Sequence, residues 1–161
     1  MIVEIDIQYN KWHDAIDNLE QYINIVASEV ISYLGVDKLY SNIELSVVLS
    51  ENEFVKNLNN QYRGVDKATN VLSFPGEEFD NKDFTKLVAK TSILLLGDVV
   101  FAYEIIEEEC LEQNKEFKKH FSHLLVHGIL HLLGFDHEED DEAEEMEFLE
   151  QQILKKFNID L

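Results

Sequence analysis

Apolar positions along this chain repeat with two periods, and the switches between them divide it into elements. Residues 2–8 alternate, with Val3, Ile5 and Ile7 on one side and Glu4 and Asp6 on the other, which predicts a strand. From 11 to 34, Trp12, Ile16, Leu19, Ile23, Val26, Val30 and Leu34 fall at helical spacing, and Gly35 stops the run. IELSVVL at 43–49 reads as a second strand. Ser50 followed by Glu53 has the spacing of a capping box and predicts a helix running to about Gly64. NVLSF at 70–74 is a short strand closed by Pro75, the only proline. Residues 76–90 are polar and acidic and read as a mobile loop. SILLLGDVVF at 92–101 is an apolar strand interrupted by Gly97 and Asp98, and helical stretches follow at about 102–113, 116–133 and 139–156. Interleaved helices and strands predict an α/β (α+β) fold. It is one domain over 1–161, with a mixed sheet of roughly four strands and helices packed on it.

Composition narrows the class. A hydrophobic fraction of 45% supplies a core, and the single cysteine, Cys110, rules out an internal disulfide. Glu4 and Asp6 stand where a secretory signal needs an unbroken apolar run, and no run reaches the ~18 apolar residues of a membrane helix. The expectation is a soluble, cytoplasmic protein without a membrane partner. A net charge of −20 argues against nucleic-acid binding by a broad basic surface. Nine of the thirteen residues from Glu138 to Glu150 are acidic, and Glu104, Glu107, Glu108, Glu109 and Glu112 form a second group. Both groups lie in helical segments and read as solvated outer faces.

The chemistry concentrates in HGILHLLGFDH, residues 127–137. His127 and His131 are one helical turn apart on one face. Gly134 can end the helix and turn the chain so that His137 reaches the same point. Three neutral imidazoles with a fourth position left for water are a ligand set for catalytic zinc (Zn2+), one ion per chain; another divalent transition metal such as nickel (Ni2+) also suits them. Zinc in such a site lowers the pKa of its water to ~7, which implies hydrolysis or a related transfer. His120 and His123 continue the stripe toward the helix start. His123 reads either as support behind the ligands or rim of the cleft, or as packing. His120 and His13 read as surface residues. Asp136 reads equally as a residue orienting a ligand or its water and as a turn former. The metzincin pattern HExxHxxGxxH keeps a glutamate after its first histidine as general base, but position 128 here is glycine, which weighs against proteolysis.

HGILHLLGFDH resembles the HGxLHLxGxDH signature of the YbeY family of bacterial metal-dependent endoribonucleases. LNNQYRGVDKATNVLSFP at 58–75 is similar to the family's LNxxYRxxDxxTDVLSFP block, LLGDVVF at 95–101 to its LGDIxI block, and MEFLEQQIL at 146–154 to its closing helix. Asn70 stands where the pattern often has aspartate, which leaves it a hydrogen-bonding or turn role in place of an acidic one. The resemblance implies His127, His131 and His137 as metal ligands, Arg63 and His127 as catalytic residues, and single-stranded RNA as substrate. It further implies a part in 16S rRNA 3′-end maturation and ribosome quality control, with the ribosome or ribosomal proteins as partners and DNA not a substrate. Arg63 is the only arginine, the other twelve basic residues being lysines, and a planar guanidinium can hold a phosphate through two parallel hydrogen bonds. Its alternative role is a charge at a helix C-terminus.

Asp66, Thr69 and Ser73 are candidates for the same cleft, and Asp98 for support behind the ligands. Lys56, Lys67, Lys115, Lys118 and Lys119 are the local cations, with Lys67, Lys118 and Lys119 the candidate RNA contacts beside Arg63. Two rival readings remain: a metzincin-like zinc protease, and a non-catalytic ribosome-associated factor whose metal is structural.

Overall fold

A computed structural model gives the fold and describes residues 1–87 and 93–161. The alternating N-terminal segment is β1 (Ile2–Ile7), paired in parallel with β2 (Asn42–Ser50). β3 (Val71–Pro75) lies antiparallel to β4 (Ile93–Ala102), and β4 runs parallel to β2, so the mixed sheet has the order β1-β2-β4-β3. The helices are α1 (Leu19–Tyr33), α2 (Asn52–Arg63), α3 (Tyr103–Gln113), α4 (Phe117–Leu132) and α5 (Asp140–Lys155). This is the expected α/β fold with a four-stranded mixed sheet. No helix among the described residues is long and apolar enough to cross a membrane.

The strand period sets which face meets the main core. Ile43, Leu45, Val47 and Leu49 of β2 are buried together with apolar residues of α1 and α4. Val48 turns the other way, toward a smaller cluster of Val55, Leu72, Val100 and Ala102. β4 changes phase partway: Leu94 and Leu96 enter the main core, then Val99 and Phe101 do. A uniform strand keeps one parity, so an extra residue is required. The register supplies it, since Glu44 pairs with Leu95 but Leu45 pairs with Gly97. Gly97 sits at φ +126, where a Cβ would lie 2.2 Å from the Phe74 carbonyl oxygen. The Gly97–Asp98 interruption is therefore a bulge inside one continuous strand.

Three expectations of local structure need correction. The periodic run 11–34 is not one helix: a 3-10 turn covers Asn10–Asp14, Asn18 adopts a left-handed conformation, and α1 starts at Leu19. Trp12 holds the break in place. It is fully buried, its indole N–H donates to the Ser50 carbonyl at 2.9 Å, and its ring meets Phe101, Tyr103, Phe117 and Phe121 edge-on. The capping box at Ser50 does not form, because Ser50 ends β2 and α2 begins after Glu51. The starts of α2 and α3 cap each other instead: Glu104 Oε1 accepts from the Asn52 backbone N–H at 3.0 Å, and Asn52 Oδ1 accepts from that of Ile105 at 3.2 Å. The described part of the expected loop, 76–87, is docked on the fold. Phe84 packs between Phe79 and Phe135, and its carbonyl accepts from the Tyr40 hydroxyl at 3.0 Å. Residues 88–92, which include the end of that loop and the expected strand start at 92, lie outside the described residues.

Candidate metal centre and its cleft

Helix α4 is anchored by an apolar face that leaves its histidine stripe pointing elsewhere. Phe121, Leu125, Val126, Ile129 and Leu130 are fully buried, and Gly128 brings the helix close to the sheet. A Cβ at 128 would lie 2.8 Å from Val99 Cγ1, and the Gly128 carbonyl accepts from the Ser73 hydroxyl at 3.0 Å. Position 128 thus faces the sheet and has no room for a glutamate.

The end of α4 is a Schellman turn. Gly134, at φ +91, donates its N–H to the His131 carbonyl at 3.1 Å, and Phe135 donates to the Leu130 carbonyl at 3.1 Å. A Cβ at 134 would lie 2.6 Å from the Phe79 carbonyl oxygen, so glycine is required here twice over. The carbonyl of Phe135 then accepts from His131 Nδ1 at 3.0 Å, so the reversal that brings in His137 also orients His131. Asp136 Oδ1 accepts the backbone N–H of His137 at 2.7 Å, a turn contact on the wall of the cleft.

His127, His131 and His137 each bring one ring nitrogen into a group whose members lie within 4.8 Å of one another. Two of the tautomers follow from their partners. His127 Nδ1 meets the Glu150 carboxylate at 2.6 Å and His131 Nδ1 meets a carbonyl, and both partners only accept, so both Nδ1 atoms carry the proton. The Nε2 atoms of these rings then face each other, lone pair to lone pair, at 3.1 Å. Burial, reinforced by the neighbouring charges of His127 and His137, holds the His131 ring down at about 4, so the His131 ring is uncharged near neutrality. Lone pairs directed at one point need an electron-pair acceptor, and a divalent metal ion fits these residues.

Glu150 is the residue the sequence reading missed. Its acidic run reads as a solvated face, and the other eight acidic residues of that run are exposed, yet Glu150 is buried. One oxygen takes His127 and the other takes His123 Nε2 at 3.0 Å. Burial alone pushes its carboxyl up, but the hydrogen bonds from His123 and His127 outweigh it and hold the group at about 2. A signal was present: Glu150 falls at helical spacing with the buried Met146, Ile153 and Leu154.

The histidines open into a cleft of about 670 Å³, whose walls include Arg63, Asn70, Ser73, His127, His131 and His137. Arg63 donates from Nη2 to the Ser73 carbonyl at 3.3 Å, and its guanidinium lies 6.0 Å from the centre of the Phe74 ring. Thr69 also lines the cleft, and the Ser73 hydroxyl is committed to Gly128. Asp66 is absent from the lining and pairs with Lys56 at 3.9 Å. Nor do the three candidate lysines line it. Lys67 is exposed, Lys118 lies over the Tyr22 ring at 4.6 Å, and Lys119 sits 4.0 Å from Glu116.

Asp98 and His120 depart from expectation. Val99 faces α4, so its neighbour Asp98, which pairs with Phe74 and is exposed, lies on the other side of the sheet and cannot support the histidines. His120, read as a surface residue, is buried, with Nε2 on Glu109 Oε1 at 2.9 Å. His13 is exposed.

Comparison with known proteins agrees with this arrangement. The sequence model described as Endoribonuclease YbeY matches residues 5–158. A protein of Paramagnetospirillum magneticum named Endoribonuclease YbeY is 42% identical over 158 residues, covering 98% of this chain and 93% of its own. The solution structure of TM1509 from Thermotoga maritima has the same fold, with a TM-score of 0.55 at 23% identity over 98% of this chain and 92% of that one. The match to the family model and the 42% identity to a protein of that name place the chain in the Endoribonuclease YbeY family.

Proposed function

We propose that this protein is a metal-dependent endoribonuclease of single-stranded RNA. It acts in the cytoplasm in 16S rRNA 3′-end maturation and ribosome quality control. The observation that carries the reading is that Arg63, the chain's one arginine, shares a cleft with three converging imidazoles. The family's name supports RNA as the substrate class.

His127, His131 and His137 would hold one divalent ion, with zinc and nickel both suited to three imidazoles. Such an ion supplies Lewis acidity to the cleft when bound. The protein supplies the rest. Glu150 and the Phe135 carbonyl fix the tautomers of His127 and His131, and Arg63 presents guanidinium donors to the scissile phosphate. Phe74 and the Ser73 carbonyl hold that guanidinium in place. A net charge of −20 disfavours broad attraction to a polyanion, so a ribosomal partner supplies part of the affinity. The glutamate that a metzincin-like protease uses as base has no place beside His127, since Gly128 is packed on the sheet.

The test is incubation of RNA with wild-type and Arg63→Ala protein, each with and without chelator, after rigorous removal of contaminating nucleases. Wild-type protein cleaves, chelator stops it, and Arg63→Ala slows cleavage about 100-fold or more while keeping its metal. Cleavage by Arg63→Ala at the wild-type rate, or intact RNA after incubation with metal-loaded wild-type protein, would overturn the reading.

A further inference from the structure

Asn70 stands immediately before β3 and lines the cleft with Arg63 and His127. Its backbone is pinned, since its carbonyl accepts the Ala102 N–H at 3.0 Å. Its side chain is pinned as well: Nδ2 donates to Glu109 Oε1 at 3.1 Å and Oε2 at 3.2 Å. Glu109 is itself held by His120, whose Nε2 lies 2.9 Å from Oε1. A carboxylate only accepts, so His120 carries its proton on Nε2 and the amide must turn its NH2 toward Glu109. The Asn70 oxygen, Oδ1, is left over, and it takes no hydrogen bond from any described residue. The outcome is an uncharged acceptor of fixed orientation on a residue that lines the cleft.

The lack of charge matters. An aspartate at 70 would set a second carboxylate against Glu109, and it would place a negative charge in the cleft that Arg63 shares. The other acidic groups on the wall, Asp136 and Glu138, stand with the histidines at the end of α4. A neutral acceptor close to a phosphate site suits a hydroxyl donor on the same nucleotide, and the ribose 2′-hydroxyl is the donor by which RNA differs from DNA. We infer that Asn70 Oδ1 accepts a hydrogen bond from the ribose 2′-hydroxyl beside the phosphate held at Arg63, with Glu109 and His120 as the positioning residues behind it. This inference rests on the proposed endoribonuclease reading.

The experiment uses metal-free full-length protein and fluorescence anisotropy. The probes are a short single-stranded oligoribonucleotide and a set of copies, each with one 2′-deoxy substitution. For wild-type protein, one substituted position should weaken binding about five- to tenfold, the others less than about twofold. Asn70→Ala should erase the penalty at that position while leaving its affinity for the substituted copy within about twofold of wild type. Glu109→Gln should reduce the penalty partway, because an amide there no longer dictates which way Asn70 turns. A penalty that persists in Asn70→Ala, or a variant that weakens every oligonucleotide equally, overturns the inference. So does a flat wild-type scan, which needs no variant to fold. RNA cleavage by metal-loaded wild-type protein alongside any of these results removes the Asn70 assignment and leaves the enzyme reading standing. Wild-type protein that neither binds nor cleaves RNA removes both.

Discussion

Helix α4 carries imidazoles toward both of its ends, and each end sets them against a carboxylate, with different results. Toward its C-terminus, Glu150 takes His123 and His127, and the second nitrogen of His127 faces that of His131 at the wall of the cleft. Toward its N-terminus, Glu109 takes His120 and Asn70, but the second nitrogen of His120 is sealed in the protein without a hydrogen-bond partner among the described residues. A carboxylate fixes a tautomer in both places. Only where the remaining lone pair meets another lone pair at an open cleft does that leave a set of ligands that could hold a metal. One histidine packs and the other is offered to a metal because of what lies beyond the ring.

The sharpest way to break this contrast is to remove one imidazole from each end. Protein purified without added metal should carry about one divalent ion per chain, and His131→Ala should carry close to none and lose RNA cleavage by about 1000-fold or more. His120→Ala should keep its ion. Elemental analysis of the purified variants decides it, and equal metal loss in both would erase the distinction. Glu150→Gln tests the next layer. It keeps the shape and removes the charge on which His127 and His123 rest, so metal affinity in a chelator competition should fall about 10- to 100-fold.

The same end of α4 should make the metal-free protein sensitive to acid. His131 is held at about 4 in the fold against an ordinary 6.5, so the unfolded chain takes up a proton between these values that the native protein refuses. Stability therefore declines as pH falls from 6.5 to 4, by on the order of 2 kcal/mol once partial exposure is allowed for. Glu150 is depressed from 4.5 to about 2, so its contribution is present above 4.5 and is lost as pH falls toward 2. The two windows follow one another. Urea denaturation at pH 7, 5.5 and 4 should show the first, and His131→Ala should flatten it. Constant stability of wild-type protein from pH 7 to 4 would contradict the geometry at His131.

Much of this arrangement is legible in the chain, and what is hidden is hidden for identifiable reasons. Period reveals the strands, and the turn at Gly134 reveals the convergence of His127, His131 and His137, because both are local. Glu150 disappears in the acidic run because its charge masks its place on the apolar stripe of Met146, Ile153 and Leu154. The side of the sheet that Asp98 occupies depends on a bulge one residue upstream, and parity cannot be counted through it without the register of β2. The false capping box at Ser50 has the same origin. The caps of α2 and α3 are exchanged between Asn52 and Glu104, whose proximity is a product of the fold.

The smallest effect tests the closed end. Glu109→Gln replaces an acceptor-only group by one with its own NH2, so His120 Nε2 and Asn70 Nδ2 must share a single remaining oxygen. The loss of charge-assisted bonds in a half-buried site should cost about 1–2 kcal/mol, read as a lower urea midpoint with an unchanged slope. Metal affinity should stay within about threefold of wild type, because no atom of this network reaches His127, His131 or His137 through a hydrogen bond among the described residues. That pairing of outcomes is the mirror of Glu150→Gln. A metal affinity that drops as far in Glu109→Gln as in Glu150→Gln would mean that the two carboxylates act through one network, and that position along α4 does not separate a packing histidine from a ligand.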